Sequence, residues 1–171
     1  MYKSILKVLL NFIIRLLPET SLFEFKRFLY LLQGYKVGPK TRICSSARIF
    51  GAGCIEIGSN VWIGPEVMII SSSSIKIEDN VDISPRVYIG TGTHNIGDIE
   101  GRMAGKGISK DIIIKKGSWL GANSLIMPGV IVEEMNIVNS GAVVAKNFQR
   151  HSLLAGVPAK VIKDLNKERA E

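Results

Sequence analysis

Along most of this chain an aliphatic residue returns at every sixth position. Val37, Ile43 and Ile49 begin the series; a slip of two leads to Ile57, Ile63 and Ile69, and another slip of two to Ile77, Ile83 and Ile89. After a gap it resumes at Ile114 and runs through Leu120, Ile126, Val132, Val138 and Val144. A second aliphatic often stands four places on, as in Ile57-Gly-Ser-Asn-Val61, Ile63-Gly-Pro-Glu-Val67 and Ile83-Ser-Pro-Arg-Val87. An α-helix repeats at about 3.6 residues and a free strand at about 2. A period of six fits neither and needs a backbone that turns a corner once per repeat, the mark of hexapeptide β-helices. Three repeats make one triangular turn of about 18 residues, and a corner can absorb two more without turning the inward face outward. The pattern predicts an all-β solenoid, a parallel β-helix of about five turns over residues 37–150, in which each turn buries its aliphatics against its neighbours.

Residues 1–36 follow another rhythm. From Ile5 to Leu17 nearly every residue is apolar, while Lys3, Lys7, Asn11 and Arg15 recur at a spacing of four. That places a thin polar stripe on an otherwise apolar helix, ended by Pro18. Glu19-Thr20-Ser21 offers a cap, and a second helix is predicted from about Leu22 to Gln33, with Phe25, Phe28, Leu29 and Leu32 on one face and Gly34 closing it. The apolar run is too short and too interrupted to span a membrane, and no Ala-x-Ala site follows it to mark a secretory signal. Two roles fit such a hairpin. It can cover the open end of the solenoid, where strand edges and core would meet water. It can also anchor at an interface, because Lys and Arg flank a strongly apolar face; the candidate membrane-surface contact is residues 1–33.

Between Ile89 and Ile114 the six-residue frame is lost. Residues 91–112 are rich in glycine and charge without periodicity, so they read as a loop thrown out of the solenoid. A loop of this length inside a compact repeat is a candidate functional element. At the far end, residues 151–171 form a connection, Leu153-Leu-Ala-Gly-Val-Pro-Ala-Lys-Val-Ile-Lys163, and a polar tail from Asp164 to Glu171 predicted as a short helix.

Composition narrows the choice. With 171 residues, 46% apolar and 22% charged, the chain is long enough for one domain with a substantial core. The formal charge of +7 points to an anionic ligand, a membrane surface or nucleic acid. Few aromatics interleave with the basic residues and no nucleic-acid motif is present, so nucleic acid is set aside. Cys44 and Cys54 belong to no Cys-x-x-Cys or Cys/His cluster, so no metal site is expected. Both follow or precede inward positions and are expected to point outward as free thiols of a reducing cytoplasm.

Of two histidines, His94 sits at the mouth of the 91–112 loop, where a partly exposed imidazole can take a proton from a hydroxyl near neutral pH. His151 falls in the connection after the last turn and reads as surface. Trp119 stands at an outward position just after the loop; it either packs between subunits or walls a ligand. Between Lys146 and Lys163 the chain carries Lys146, Arg150, Lys160 and Lys163 and no acid. This is either a solvated basic face or a phosphate-binding end. Backbone N–H groups at Ser140, Gly141 and Ala142, among small side chains, are further candidates to meet an extended ligand.

Over residues 37–163 the chain resembles the hexapeptide-repeat, left-handed β-helix acyltransferases, and most strongly the sugar and polysaccharide O-acetyltransferases, the group with the maltose and galactoside enzymes. Three marks carry the resemblance in order: Gly-Thr-His at the loop mouth, Trp119-Leu-Gly-Ala122 followed by Pro128-Gly-Val130, and the closing Ala155-Gly-Val-Pro-Ala-Lys160-Val-Ile-Lys163. The left hand is implied by the family alone, since it runs against the usual right-handed crossover. The resemblance implies an obligate homotrimer with three active sites between subunits; the free thiols place the expected location in the cytoplasm, and the hairpin allows a peripheral position at the inner face of the cell membrane. It implies acetyl-CoA as donor, a hydroxyl as acceptor and His94 as general base. Trp119 matches the tryptophan beside the CoA thiol end. Ala122, Ser140, Ala145 and Lys146 match positions that line the pantetheine arm, and Lys160 and Lys163 match basic positions near the CoA phosphates; Ala142 joins these cofactor-binding candidates through its backbone N–H.

The apolar hairpin departs from the maltose and galactoside enzymes, and their acceptor-binding Asn/Asp set is not found. The acceptor expected by association is a glycan of O-antigen, capsule or exopolysaccharide synthesis. Xenobiotic acetyltransferases and amino-sugar N-acetyltransferases on the same fold remain alternatives, as does a non-catalytic solenoid. A γ-type carbonic anhydrase, which needs three histidine ligands per zinc, does not fit a chain with two.

Overall fold

The computed structural model of the chain describes residues 2–167, with side chains from Ile5 onward. It is a parallel β-helix closed at its N-terminal end by two helices. Three sheets form its walls. The first holds Lys36–Val37, Cys54–Ile57, Ser74–Ile77, Ile112–Ile114 and Ile131–Val132. The second holds Arg42–Ile43, Trp62–Ile63, Asp82–Ile83, Trp119–Leu120, Ile137–Val138 and Ser152–Ala155, with Lys160–Asp164 antiparallel at its edge. The third holds Arg48–Phe50, Met68–Ile70, Tyr88–Gly90, Leu125–Ile126 and Val143–Val144.

The six-residue frame becomes three vertical files of aliphatics. Val37, Ile57, Ile77, Ile114 and Val132 pair in register along the first sheet. Ile43, Ile63, Ile83, Leu120, Val138 and Leu154 do so along the second, and Ile49, Ile69, Ile89, Ile126 and Val144 along the third. All are buried and belong to one continuous core. Five turns are complete and Ser152–Ala155 begins a sixth on the second sheet, slightly more than the five expected.

The slips of two fall at one corner, between the third sheet and the first, at Gly51–Gly53 and again at Ser71–Ser73. Gly51 has φ +122°, and a Cβ there would collide with the Ser71 carbonyl. Thr91 is the next member of this column, and its turn does not close with two extra residues but with the whole 91–111 excursion. That excursion is an ordered antiparallel hairpin, Gly92–Ile96 against Ala104–Ser109, where the sequence suggested only a loop. Glycine-rich strands facing solvent on both sides give no alternation to read.

Helix α1 (Tyr2–Leu16) and helix α2 (Phe23–Leu32) cover the first turn. Leu10, Ile14, Leu29 and Tyr30 join the solenoid core. Arg27 Nε donates to the carbonyls of Val37 (3.1 Å) and Gly38 (2.8 Å) on the terminal strand edge. Lys26 is fully buried, and its Nζ donates to the carbonyls of Pro18 and Glu19 (3.3 and 2.9 Å) and to Ser45 Oγ (3.2 Å). Burial holds its ammonium below the usual lysine range, an effect opposed by Cys44 and Glu19.

Three expectations are corrected here. The Glu19-Thr20-Ser21 cap does not form: α2 begins after Leu22, in a left-handed conformation with no side-chain cap bond. The Glu19 carboxylate instead accepts from Ser46 Oγ (2.6 Å) and Ser46 N, tying the hairpin to the first turn. Cys54 is exposed as expected, but Cys44 is buried, because the hairpin covers the outer side of its corner. At the C-terminus, Lys160–Asp164 is a strand folded back on Ser152–Ala155. The short helix predicted over 164–171 does not start at Asp164, which ends that strand, and residues 168–171 lie outside the described part.

Candidate active site

The histidine-bearing hairpin is pinned at its neck. Thr91 is buried; its Oγ1 accepts from Ser72 N (2.7 Å) and its carbonyl from Lys110 N (3.0 Å). Asp111 Oδ1 accepts from Ser74 N (3.0 Å) on the other side. His94 is therefore three residues from a fixed corner, on a strand paired with Ser109 through Gly107. Its imidazole is exposed and lies against Gly107, whose lack of a side chain leaves the ring uncovered: a Cβ at Gly107 would stand 3.8 Å from Nε2. Just beyond it a bulge breaks the register before Ile96. Asp98, one of the two carboxylates near His94 in sequence, accepts from Glu100 N (3.0 Å) at the hairpin tip.

Trp119 projects from the outer face of the second sheet, 51% exposed, with its indole N–H donating to Ser84 Oγ (3.0 Å) one turn below. That bond fixes the indole plane. In the other direction the pairing runs from Trp119 to Ile137, then Leu153, then Lys163. Strands are about 4.8 Å apart, so Trp119 and the exposed Lys163 are roughly 14 Å apart along one outward line. Lys160, also exposed, lies on the same edge strand opposite Ala155. An apolar ring at one end of an open face and ammonium groups at the other suit a long ligand with an apolar end and a phosphate end.

Ala122 and Ser140 line the neighbouring corner, between the second and third sheets, linked there by Gly141 N donating to the Ala122 carbonyl (2.9 Å). Ser140 is exposed and Ala122 half-buried. Ala142 differs: its side chain is in the core, so it cannot line a ligand. The three N–H groups expected to be open are committed within the chain, Ser140 to Asn139 Oδ1, Gly141 to Ala122 and Ala142 to the Asn139 carbonyl. Ala145 and Lys146 are exposed at the corner between the third and first sheets, the same corner from which the His94 hairpin leaves. Lys146 Nζ sits 5.5 Å over the Phe148 ring.

The candidates thus fall into two groups. His94, Ala145 and Lys146 share the third–first corner. Trp119, Ala122, Ser140, Lys160 and Lys163 belong to the second sheet and its far corner. In a three-sided prism the second sheet is the wall opposite the third–first corner, so one chain does not bring the groups together. Sequence reading missed Ser84, Thr91 and Asp111. Thr91 carried a signal, since Gly51, Ser71 and Thr91 recur at intervals of 20. Ser84 became meaningful only with the strand register.

No family model matches the chain. It is 31% identical over 127 residues to an Escherichia coli K12 protein named as a lipopolysaccharide biosynthesis O-acetyl transferase, WbbJ, over 70% of this chain and 65% of that one. It is 26% identical over 143 residues to an Escherichia coli K12 protein named for colanic acid biosynthesis acetyl transfer, WcaF, over 84% of this chain and 76% of that one. The chain spans about half to two thirds of the length of several curated relatives it matches, WbbJ included. Among solved structures, a hexapeptide-repeat-containing acetyltransferase of Vibrio cholerae complexed with acetyl-coenzyme A superposes with a TM-score of 0.76 at 25% identity, over 96% of this chain and 87% of that one.

Proposed function

This chain belongs to the hexapeptide-repeat, left-handed β-helix acyltransferase family, and on that footing we propose that it transfers an acetyl group from acetyl-CoA to a hydroxyl of a sugar unit in surface-polysaccharide biosynthesis. The relatives named for lipopolysaccharide and colanic acid synthesis support the acceptor class, and the acetyl-CoA complex of a neighbour on the same fold supports the donor.

Acetyl-CoA supplies the activated acyl group, a thioester open to attack by oxygen. His94 accepts the proton of the acceptor hydroxyl at an imidazole nitrogen as that oxygen attacks, and returns it to the departing thiolate, so no covalent enzyme intermediate is required. Trp119, held by Ser84, gives a flat wall for the thiol end. Lys160 and Lys163 supply positive charge for the phosphates. The observation that carries this reading is the placement of Trp119 and Lys163 along one outward line, with His94 at the opposite corner of the chain. A donor laid along that line meets the His94 of a neighbouring copy, which makes the active form a closed homotrimer with three sites between subunits.

His94→Ala should lower thiol release from acetyl-CoA with a saccharide acceptor by roughly a thousandfold, within the usual range for losing a general base. Lys160→Ala with Lys163→Ala should weaken CoA binding, and the deficit should shrink at high salt. Mixing His94→Ala and Trp119→Ala subunits tests the shared site. Random trimers from an equal mixture pair an intact His94 with an intact neighbouring Trp119 at about a quarter of sites. Recovery toward that fraction supports the reading, and a mixture as inactive as its parents overturns it.

A further inference from the structure

We infer that the outward face of the N-terminal hairpin is a docking surface for an anionic phospholipid bilayer. On α1 the residues Ile5, Val8, Leu9, Phe12 and Leu16 are all exposed, and their spacing forms one continuous helical stripe. On α2 the exposed Phe25, Phe28 and Leu32 form a second stripe at the same kind of spacing. Among the described residues, the polar side chains of α1 do not cover this surface. Lys7 turns toward the solenoid, its Nζ 4.6 Å over the Tyr35 ring, and Asn11 lines a cleft against the first turn. The helix therefore shows its apolar side to solvent and part of its polar side to the protein. Isolated exposed apolar residues are normal on a protein surface; a patch of this extent marks a contact.

Charge identifies the partner. Residues 1–48 hold nine Lys and Arg against two Glu, a net +7 that equals the formal charge of the whole chain, because residues 49–171 hold thirteen of each sign. The apolar stripes thus belong to a strongly positive stretch of the chain, separate from the basic Lys146–Lys163 stretch at the other end. Beside α1 a cleft of about 330 Å³ has Val8 and Phe12 on one wall and Arg48 and Phe50 on the other, with Arg15 in its lining. Two arginines lining one cleft next to an apolar surface match a phosphate headgroup above acyl chains. No described helix is long and apolar enough to cross a membrane, so the hairpin would lie within the interface. A second copy of this chain is the poorer occupant, since a symmetric contact would set one positive end against another.

The inference does not depend on the acetyl-transfer reading, and its test uses no enzymatic assay. The full chain is sedimented with vesicles of phosphatidylcholine alone and of phosphatidylcholine with phosphatidylglycerol. Binding should be confined to the anionic vesicles and fall at least about tenfold when salt is raised from about 0.1 to about 0.5 M. Phe12→Asp with Phe28→Asp should lower partitioning by about tenfold or more while circular dichroism stays unchanged, since both side chains are exposed. The vesicle and salt series on the unaltered chain tests the inference without any substitution. Absence of binding to anionic vesicles, or equal binding to both kinds, overturns it. So does a double variant that leaves vesicle binding intact, or one that only dissociates an oligomer, which would assign the face to a second copy.

Discussion

In the second sheet, Ile43, Ile63, Ile83, Leu120 and Val138 stack inward in one file, all but completely buried. In α1, the file Ile5, Val8, Leu9, Phe12 and Leu16 faces outward. Both are periodic rows of large aliphatic or aromatic residues, yet they answer to different constraints. In the solenoid every turn has a neighbour above and below, so an inward position has only another inward side chain to meet, and the period is imposed by strand register. The hairpin has one triangular end to cover. Leu10 and Ile14 from α1, with Leu29 and Tyr30 from α2, enter the core there, and the remaining apolar residues exceed what that closure uses. A hydrophobic row therefore reports folding only where the architecture offers a surface to bury it.

The sharpest way to break this comparison is to shorten one residue in each row. Ile83 lies between Ile63 and Leu120 with no exposure. Ile83→Ala should cost about 3 kcal/mol and lower the melting temperature by roughly 6–12 °C. Phe12 is 59% exposed, and Phe12→Ala should change stability by less than about 0.5 kcal/mol. Thermal unfolding of the two variants side by side decides the matter: equal losses would mean that the outward row packs against the fold after all.

A smaller effect is expected where the two regions join. Lys26, itself fully buried, donates to two carbonyls and a hydroxyl at the seam between the hairpin and the first turn. Lys26→Ala removes the donor and leaves its acceptors without it, for a loss of about 2 kcal/mol. Limited proteolysis should then release the hairpin while leaving the solenoid intact. Cleavage spread evenly along the chain would show that the seam is not a boundary of cooperativity.

The same contrast separates what was legible in the sequence from what was not. The inward files could be read because each position has one local rule, six residues to the next, and the slips of two fell at corners that now show a spacing of 20 between Val37, Ile57 and Ile77. The His94 excursion was legible as a break in that rule, and the outward placement of Trp119 followed from its neighbour Leu120. Ala142 is inward by the same rule, since it stands four residues after Val138, just as Val67 follows Ile63, but a small side chain gives that position no aliphatic mark. Cys44, the neck at Thr91 and the strand at Lys160–Asp164 depend on contacts between segments distant in sequence or on a pairing edge. No local pattern encodes them. The separation of His94 from Trp119 on opposite sides of one chain likewise required the strand order, because sequence spacing does not say which wall a residue occupies.

The smallest effect concerns the two thiols, one on each side of the boundary. Cys54 is exposed on the first sheet, whereas Cys44 is fully enclosed under the hairpin. Burial pushes the Cys44 thiol up to about 11, with the charge of Glu19 raising it further and Lys26 opposing. Only the thiolate reacts, so near pH 8 a maleimide or disulfide reagent should modify Cys54 promptly and Cys44 only through hairpin opening. Lys26→Ala should accelerate Cys44 and leave Cys54 unchanged. The sign of the pH effect is fixed by the same shift. Between an unfolded-state value near 9 and a folded value of about 11 the unfolded chain loses this proton first, so the contribution of Cys44 to stability is complete below about pH 9 and declines as pH rises to about 11. Cys44→Ala should remove that part of the alkaline decline. Equal labelling rates for the two cysteines in the folded chain would place the hairpin open in solution, and the outward row on α1 would then no longer be a fixed surface at all.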